Sequence, residues 1–293
     1  MLNLKLNSLL GIKAKKPFRL GGWQVYFGVF LWLAALIVLF SQSPKVAFGA
    51  IMDFAGEPIA IGRAEVRENI DQELLLLSEA KARVWLTLRR SGRYLPVIDE
   101  ALKAAKVPLD FRYLPMALAN LDPVYRSGAR RGLWRLTEAE ALAAGLKVDK
   151  DLDERLDPVA SSQAAANKIA SLKKVFGTWT MVLAAFIDPS GATIALTDGE
   201  GEKDYYRLFF PEATEKTVSQ VIAGKILYTN PEVYGYTPVT PYSILTTKRG
   251  RIDSPVSVKA LANYYKLDYK TFRALNPHLL SDTAPVGAVI NIP

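Results

Sequence analysis

The chain has 293 residues, half of them hydrophobic, with no cysteine, one histidine and a formal net charge of +8. The absence of cysteine excludes disulfides, thiolate metal sites, a cysteine nucleophile and a lipid-modified cysteine; a lone histidine, His278, excludes a multi-histidine metal centre. Six cations (Lys5, Lys13, Lys15, Lys16, Arg19 and Lys45) fall in residues 1–45, which hold no acid, so residues 46–293 carry only +2 and the basic balance argues against a nucleic-acid partner.

Between Arg19 and Lys45 there is no charged residue, and Trp23–Phe40 reads WQVYFGVFLWLAALIVLF. About 20 apolar residues in a helix span the roughly 30 Å hydrocarbon core, and Trp23 and Tyr26 sit at one end, where amphipathic aromatics favour the interface. Residues 1–20 are expected to form a cytoplasmic basic tail and residues 21–41 a single transmembrane helix. The five cations ahead of it put the N-terminus inside and the rest of the chain on the far side. A cleaved signal peptide is the other reading; the apolar run is long for one, and no small-x-small cleavage site follows.

Residues 42–62, punctuated by Gly49, Gly56, Pro58 and Gly62, read as a linker. From Arg63 to Arg90, Val66, Ile70, Leu74, Leu77, Ala80, Val84 and Leu88 recur at three- and four-residue spacing, one apolar helical stripe. Ser91-Gly92 is the expected stop. A second helix is expected over Leu95–Lys106, ended by Val107-Pro108 because a residue before proline avoids the α region.

Next come VPLDFRYLPMALANLDP, then Gly-Leu-Trp-Arg-Leu (Gly132–Leu136), then LKVDKDLDERL (Leu146–Leu156). Asp157-Pro158 opens an alanine-rich helix, with Asp as N-cap and Pro at the first turn. Phe176-Gly177-Thr178-Trp179, LAAF, Asp204-Tyr205-Tyr206, PEATEKTVSQVIAGKIL and NPEVYGY follow. In this order and spacing, the chain resembles the lytic transglycosylases, in particular the membrane-bound murein type D branch with C-terminal LysM modules, over about residues 64–236. The resemblance implies a mainly α protein, with a lysozyme-like helical domain at 63–236 behind the transmembrane helix. It also implies an inner (cytoplasmic) membrane location with the bulk of the chain in the periplasm, no cofactor and no metal.

The chemistry of that family needs one buried carboxylic acid. It protonates the glycosidic oxygen and then takes a proton back as the sugar's own hydroxyl closes an anhydro ring. Such an acid stays protonated only in an apolar pocket that raises its pKa. Laid on the family pattern Leu-Pro-x-x-Glu-Ser, Leu114-Pro115-Met116-Ala117-Leu118-Ala119 puts Leu118 at the Glu position and Ala119 at the Ser position. The Gln after Gly-Leu-Trp is Arg135. The family's Ala-x-Tyr-Asn-x-Gly lies over Ala184–Pro189, with Phe186 for Tyr, Ile187 for Asn and Pro189 for Gly. The resemblance therefore implies a degenerate site and a core role for Leu118. Asp110, Asp122, Glu138, Glu140 and Asp188 are the candidates for a displaced acid. Asp122-Pro123 reads as a turn and Thr137-Glu138-Ala139-Glu140 as a solvated helix start; no candidate sits at an apolar helix centre, as general acid work requires.

Arg126, Arg130, Arg131 and Arg135 surround the Gly-Leu-Trp loop, either as a solvated basic face or as contacts for peptide-stem carboxylates or an acidic protein surface. Asn120, Trp134, Arg130, Arg131, Arg135, Asp188 and Asn276 are the candidate binding residues.

Residues 237–293 resemble a LysM-like β-α-α-β module. Tyr242–Thr247 is the expected first strand and Lys248-Arg249-Gly250-Arg251 a loop that departs from the family's Gly-Asp-Thr-Leu. Val258–Tyr265 and Tyr269–Leu275 are the expected helices, Asn276-Pro277 the loop signature, Val289–Ile292 the closing strand, and His278 a surface residue. The expected function is a membrane-anchored, catalytically inactive binding or scaffolding component. Its expected partners are peptidoglycan glycan strands or an envelope protein complex. The alternative is an active lytic transglycosylase with a displaced acid.

Overall fold

The computed structural model describes residues 53–188, 191–236, 239–243 and 248–292. The expected basic tail, the transmembrane helix at 21–41, most of the 42–62 linker and Pro189 lie outside the described residues. Among the described residues, no helix is long and apolar enough to cross a membrane.

The end of the expected linker is folded. Strands β1 (Asp53–Phe54) and β2 (Glu57–Pro58) pair antiparallel, Asp53 opposite Pro58. They turn through Ala55 and Gly56, both at positive φ, as a two-residue hairpin with native twist requires. Phe54 is fully buried, edge-on to Phe111 at 5.3 Å, and Phe111 in turn meets Trp179 at 5.6 Å. Glu57 accepts from the backbone N–H groups of Trp179 (2.7 Å) and Thr180 (3.1 Å). One large apolar residue and one capping carboxylate thus make a short polar stretch part of the core, where composition alone reads linker.

Helices α1 (Ala64–Glu79) and α2 (Lys81–Ala104) carry the predicted stripe, but the break falls at Ala80 and not at Ser91-Gly92. The second helix continues through Gly92 and Pro96. Ser91 turns its hydroxyl back to Leu88 O at 2.7 Å. A Cβ at Gly92 would lie 2.4 Å from the Tyr242 carbonyl oxygen, so this glycine serves close packing inside a helix rather than its end.

The core is built from helix pairs. α8 (Glu212–Thr229) packs on α1 and on the short central helix α3 (Tyr113–Ala119), while α5 (Pro158–Phe176) packs on α2 and on α6 (Trp179–Ile187). Gly224 lets α3 close on α8, since a Cβ there would stand 3.1 Å from Ala117. α4 (Glu138–Ala143) and α7 (Ala192–Glu200) flank α5, and a hairpin of β3 (Arg126–Ser127) and β4 (Arg130–Arg131) leads into the Gly-Leu-Trp loop. Asp157 caps α5 as expected, accepting from Val159 N at 3.0 Å.

In the C-terminal module, β5 (Lys248–Arg251) pairs with β8 (Val289–Ile292) and β6 (Val256–Ser257) with β7 (Thr283–Ala284), around α9 (Val258–Tyr264) and α10 (Tyr269–Leu275). The first strand is therefore the stretch expected to be an altered loop. Of the expected strand, Tyr242 and Ser243 are irregular and residues 244–247 lie outside the described residues. A short edge strand rich in Lys and Arg resists further edge pairing, which disguises it in a search for apolar alternation.

Two more expectations are overturned here. His278 is 1% exposed, not a surface residue: its ring Nε2 donates to Val289 O at 2.7 Å. Asn276, a candidate glycan- or partner-binding residue, is 0% exposed and clamps α10 to β8. Its amide donates to Phe272 O (3.1 Å) and Asn291 O (2.9 Å), and its oxygen accepts from Asn291 N (2.6 Å). Asn276→Ala would strand buried backbone groups, and we expect a loss of about 1–3 kcal/mol in denaturant unfolding; an unchanged midpoint would refute the clamp.

The module is fused to the helical domain. Leu152, from the loop before α5, is buried within the module's own apolar cluster beside Phe272, Leu279 and Ile290. Asp153 N donates to His278 O (2.9 Å) and Leu280 N to Asp151 O (2.8 Å). Arg249 of β5 pairs with the buried carboxylate of Asp157, the α5 cap.

Candidate functional site

The Gly-Leu-Trp loop is shaped by backbone constraints. A Cβ on Gly132, which has φ of 74°, would lie 1.9 Å from Arg155 O, so only glycine fits. Arg155, held by Asp153 through two contacts of 2.8 Å, reaches Ala129 O at 3.3 Å and fixes the hairpin beneath. Arg131 and Leu136 exchange backbone hydrogen bonds at 3.0 and 3.1 Å, closing a tight loop whose last residue, Arg135, sits at φ of 52°. A non-glycine residue in that region costs of order 1 kcal/mol.

This loop forms one wall of a cavity of about 280 Å³. Leu114 and Leu118 enter from α3, Phe186, Ile187 and Asp188 from the end of α6, and Ala213, Thr214 and Thr217 from α8. Of the six positions read as degenerate, Leu118, Arg135, Phe186 and Ile187 meet around one space. Ala119 does not: one residue further round α3, it is completely buried in the core. Leu118, expected in the core, is only half-buried and faces the cavity.

The expected binding residues divide. Trp134 is 1% exposed; its indole N–H donates to Ser162 Oγ at 2.9 Å and its ring meets Phe186 edge-on at 6.2 Å. It is a wall of the cavity rather than an open stacking platform. Arg130 straps the cavity, donating to Arg135 O (2.8 Å) on the loop and to Ile187 O (3.3 Å) at the C-terminal end of α6, where a cation is favoured. Arg131 turns back to its own hairpin at Gly128 O and Arg130 O, and Arg126 is exposed. Asn120 sits at φ of 52° as the C-cap of α3, its carbonyl held by Arg90 at 3.0 Å, and does not line the cavity. Asn276 lies in the module core.

Arg135 lays its guanidinium 5.6 Å over the Tyr125 ring. Burial lowers its pKa from the ordinary value, and the like charge of Arg130 adds to the shift.

The displaced-acid candidates have other work. Asp110 takes Lys225 Nζ at 2.7 Å and Ala55 N at 2.6 Å. Asp122 accepts from Val124 N at 3.1 Å in the predicted turn and pairs with Arg90 at 3.4 Å. Glu138 is exposed. Glu140 is not the solvated residue expected. Its carboxylate completes a capping box with Thr137, binds Lys168 and lies 3.5 Å from Arg130. Burial pushes its pKa up, but Lys168 and the Thr137 N–H outweigh burial, and the net shift is downward. That is opposite to what a general acid needs. Asp188 is the one carboxylate among the described residues lining the cavity. Carboxylates whose pKa is raised by burial, Asp71, Glu73, Asp99 and Glu215, lie elsewhere.

Sequence reasoning missed Lys168, which bridges Glu140 to the face of Phe186 at 4.6 Å. The Thr137-x-x-Glu140 spacing signals the capping box, but nothing in the sequence brings α5 beside it. A second, mostly apolar cavity of about 580 Å³ lies between α4, α5 and α7 and shares Asp188 with the first. Among the described residues, no cluster of three or more His, Asp or Glu side chains is arranged to hold a metal.

Residues 112–206, from the start of α3 through α7, match the family model described as Transglycosylase SLT domain. The chain is 26% identical over 241 residues to membrane-bound lytic murein transglycosylase D of Escherichia coli strain K12, an alignment covering 80% of this chain and 53% of that protein. The protein of the same name from Escherichia coli O6:H1 strain CFT073 matches to the same extent. The chain thus spans about half the length of the curated relatives it matches.

Proposed function

We propose that this chain is a lytic transglycosylase-like protein that holds peptidoglycan without cleaving it. It would be anchored in the inner membrane by residues 21–41, with the 63–236 domain and the LysM-like 237–293 module in the periplasm. The observation that carries this reading is the chemistry of the cavity. Where the resemblance calls for a protonated acid stands Leu118, and the facing wall holds Arg130 and Arg135. Guanidinium groups favour the ionised form of any carboxylate brought near, so the environment runs against general acid catalysis even where an acid is present. The similarity to a murein transglycosylase supports peptidoglycan as the partner, and the fused module supports a rigid scaffold.

The test is incubation of the purified full-length chain with sacculi, with muropeptide analysis of the supernatant and pelleting of the sacculi. We expect co-pelleting and no anhydro-muropeptides. Release of anhydro products overturns the non-cleaving reading; failure to pellet shifts the role to a protein-complex subunit. The alternative, an active enzyme, has one specific support: Asp188 lines the cavity. Anhydro product lost in Asp188→Asn would establish that alternative.

A further inference from the structure

The cavity beside Leu118 has two unlike walls. Leu114, Leu118 and Ile187 are apolar, while Arg130 and Arg135 bring two guanidinium groups, and Thr214 and Thr217 add hydroxyls. The two arginines are not equivalent. Arg130 spends its donors on two carbonyls and stands beside Glu140. Arg135 pairs with no carboxylate among the described residues; its Nε is buried without an acceptor, and its guanidinium rests on a tyrosine ring. The loop holds it there through a left-handed backbone conformation. A partly desolvated guanidinium with no anion is costly, and its planar fork matches a carboxylate through two parallel hydrogen bonds.

We propose that this cavity binds a single carboxylate carrying a short apolar body, with Arg135 as the anchor and Leu118 and Ile187 as the apolar contact. Asp188 on the same lining disfavours a second negative charge on the ligand, so a monocarboxylate is selected over phosphate. Resting on the peptidoglycan reading above, the ligand class is the C-terminal D-alanine of a stem peptide: one carboxylate, one methyl group, and an amide within reach of the threonine hydroxyls. The site of the lost acid thus becomes a recognition site for the peptide rather than for the glycan bond. Leucine at 118 then has a purpose, because a glutamate there would occupy Arg135 from within.

The test is isothermal titration of the full-length chain with N-acetyl-D-alanyl-D-alanine, its C-terminal amide, inorganic phosphate and a short polyglutamate peptide. We expect the free acid to bind at least about 10-fold more tightly than the amide, the scale of a charge-assisted pair, and phosphate to bind more weakly. Arg135→Gln should erase the acid-over-amide preference, and Arg135→Lys should keep part of it, both with unchanged thermal unfolding. Equal affinity for acid and amide, or a preference that survives Arg135→Gln, overturns the site. Arg135-dependent binding of polyglutamate without binding of the dipeptide overturns the stem-peptide assignment in favour of an acidic protein surface. Sacculus pelleting separates the two levels. Pelleting without acid preference sinks the carboxylate site and leaves the peptidoglycan reading. Acid preference without pelleting does the reverse.

Discussion

Glu140→Ala is expected to destabilise the chain by about 2–4 kcal/mol, at the level of breaking a largely buried ion pair, discounted for the partial exposure of Lys168. The loss has three parts. The Thr137 N–H loses its acceptor and the capping box opens. Lys168 remains against the Phe186 face without its carboxylate. Arg130, the strap of the cavity, loses the nearest negative charge. Glu140→Gln separates these parts, since glutamine serves in a capping box but carries no charge; it should recover part of the loss. The pH dependence follows from the sign of the shift. The folded-state pKa of Glu140 is below the ordinary glutamate value, so its stabilisation is present above that ordinary value and is lost as pH falls through the lower folded-state value. Denaturant unfolding of the wild type and Glu140→Gln should therefore differ at neutral pH and converge in acid. A difference that grows on acidification would mean the carboxylate is held protonated, and the assignment of Glu140 as an ionised strut would fail.

Leu118→Glu is expected to produce no anhydro-muropeptides although it restores the residue type that the resemblance calls for. The new carboxyl would enter the cavity beside Arg130 and Arg135, and both hold it ionised. A general acid positioned and tuned correctly contributes about 10²–10⁴-fold; this one would be neither. Phe186 offers no hydroxyl and Ile187 no amide to orient a sugar or an acid. The variant should fold, because Leu118 is only half-buried and faces a space rather than sealed core. It should also lose affinity for the acetylated alanyl dipeptide, since the glutamate would pair internally with Arg135. Turnover by Leu118→Glu alone would reveal a cavity still organised for cleavage and would refute the binding role. Combining Leu118→Glu with Arg135→Gln, Phe186→Tyr and Ile187→Asn removes one of the two guanidinium groups and supplies the missing contacts, and is the combination in which activity is expected to reappear first.

Much of the architecture was legible in the residues because it rests on local rules. The apolar stripe of α1 and α2, the Asp157-Pro158 start of α5 and the helix pair of the module all follow from periodicity and capping within a few residues. The errors share one cause. Ser91-Gly92 looks like a breaker, yet Gly92 is where Tyr242, distant in sequence, packs against the helix. His278 and Asn276 look like polar loop residues, yet β8 closes over both. Residues 53–58 look like linker until Phe54 reaches Phe111. In each case a partner far along the chain reversed the local preference.

The sequence by itself determined that leucine, arginine, phenylalanine and isoleucine stand at 118, 135, 186 and 187, and therefore that no acid stands at 118. A side chain's chemistry is fixed by its identity. Only the tertiary structure decided that these four residues face one cavity while Ala119 turns into the core, that Glu140 is held ionised by Lys168 and the Thr137 N–H, and that Arg135 has a buried Nε without an acceptor. Exposure, pairing and proton affinity depend on what surrounds a group, and here the cavity's surroundings come from three helices and a loop separated by up to about a hundred residues.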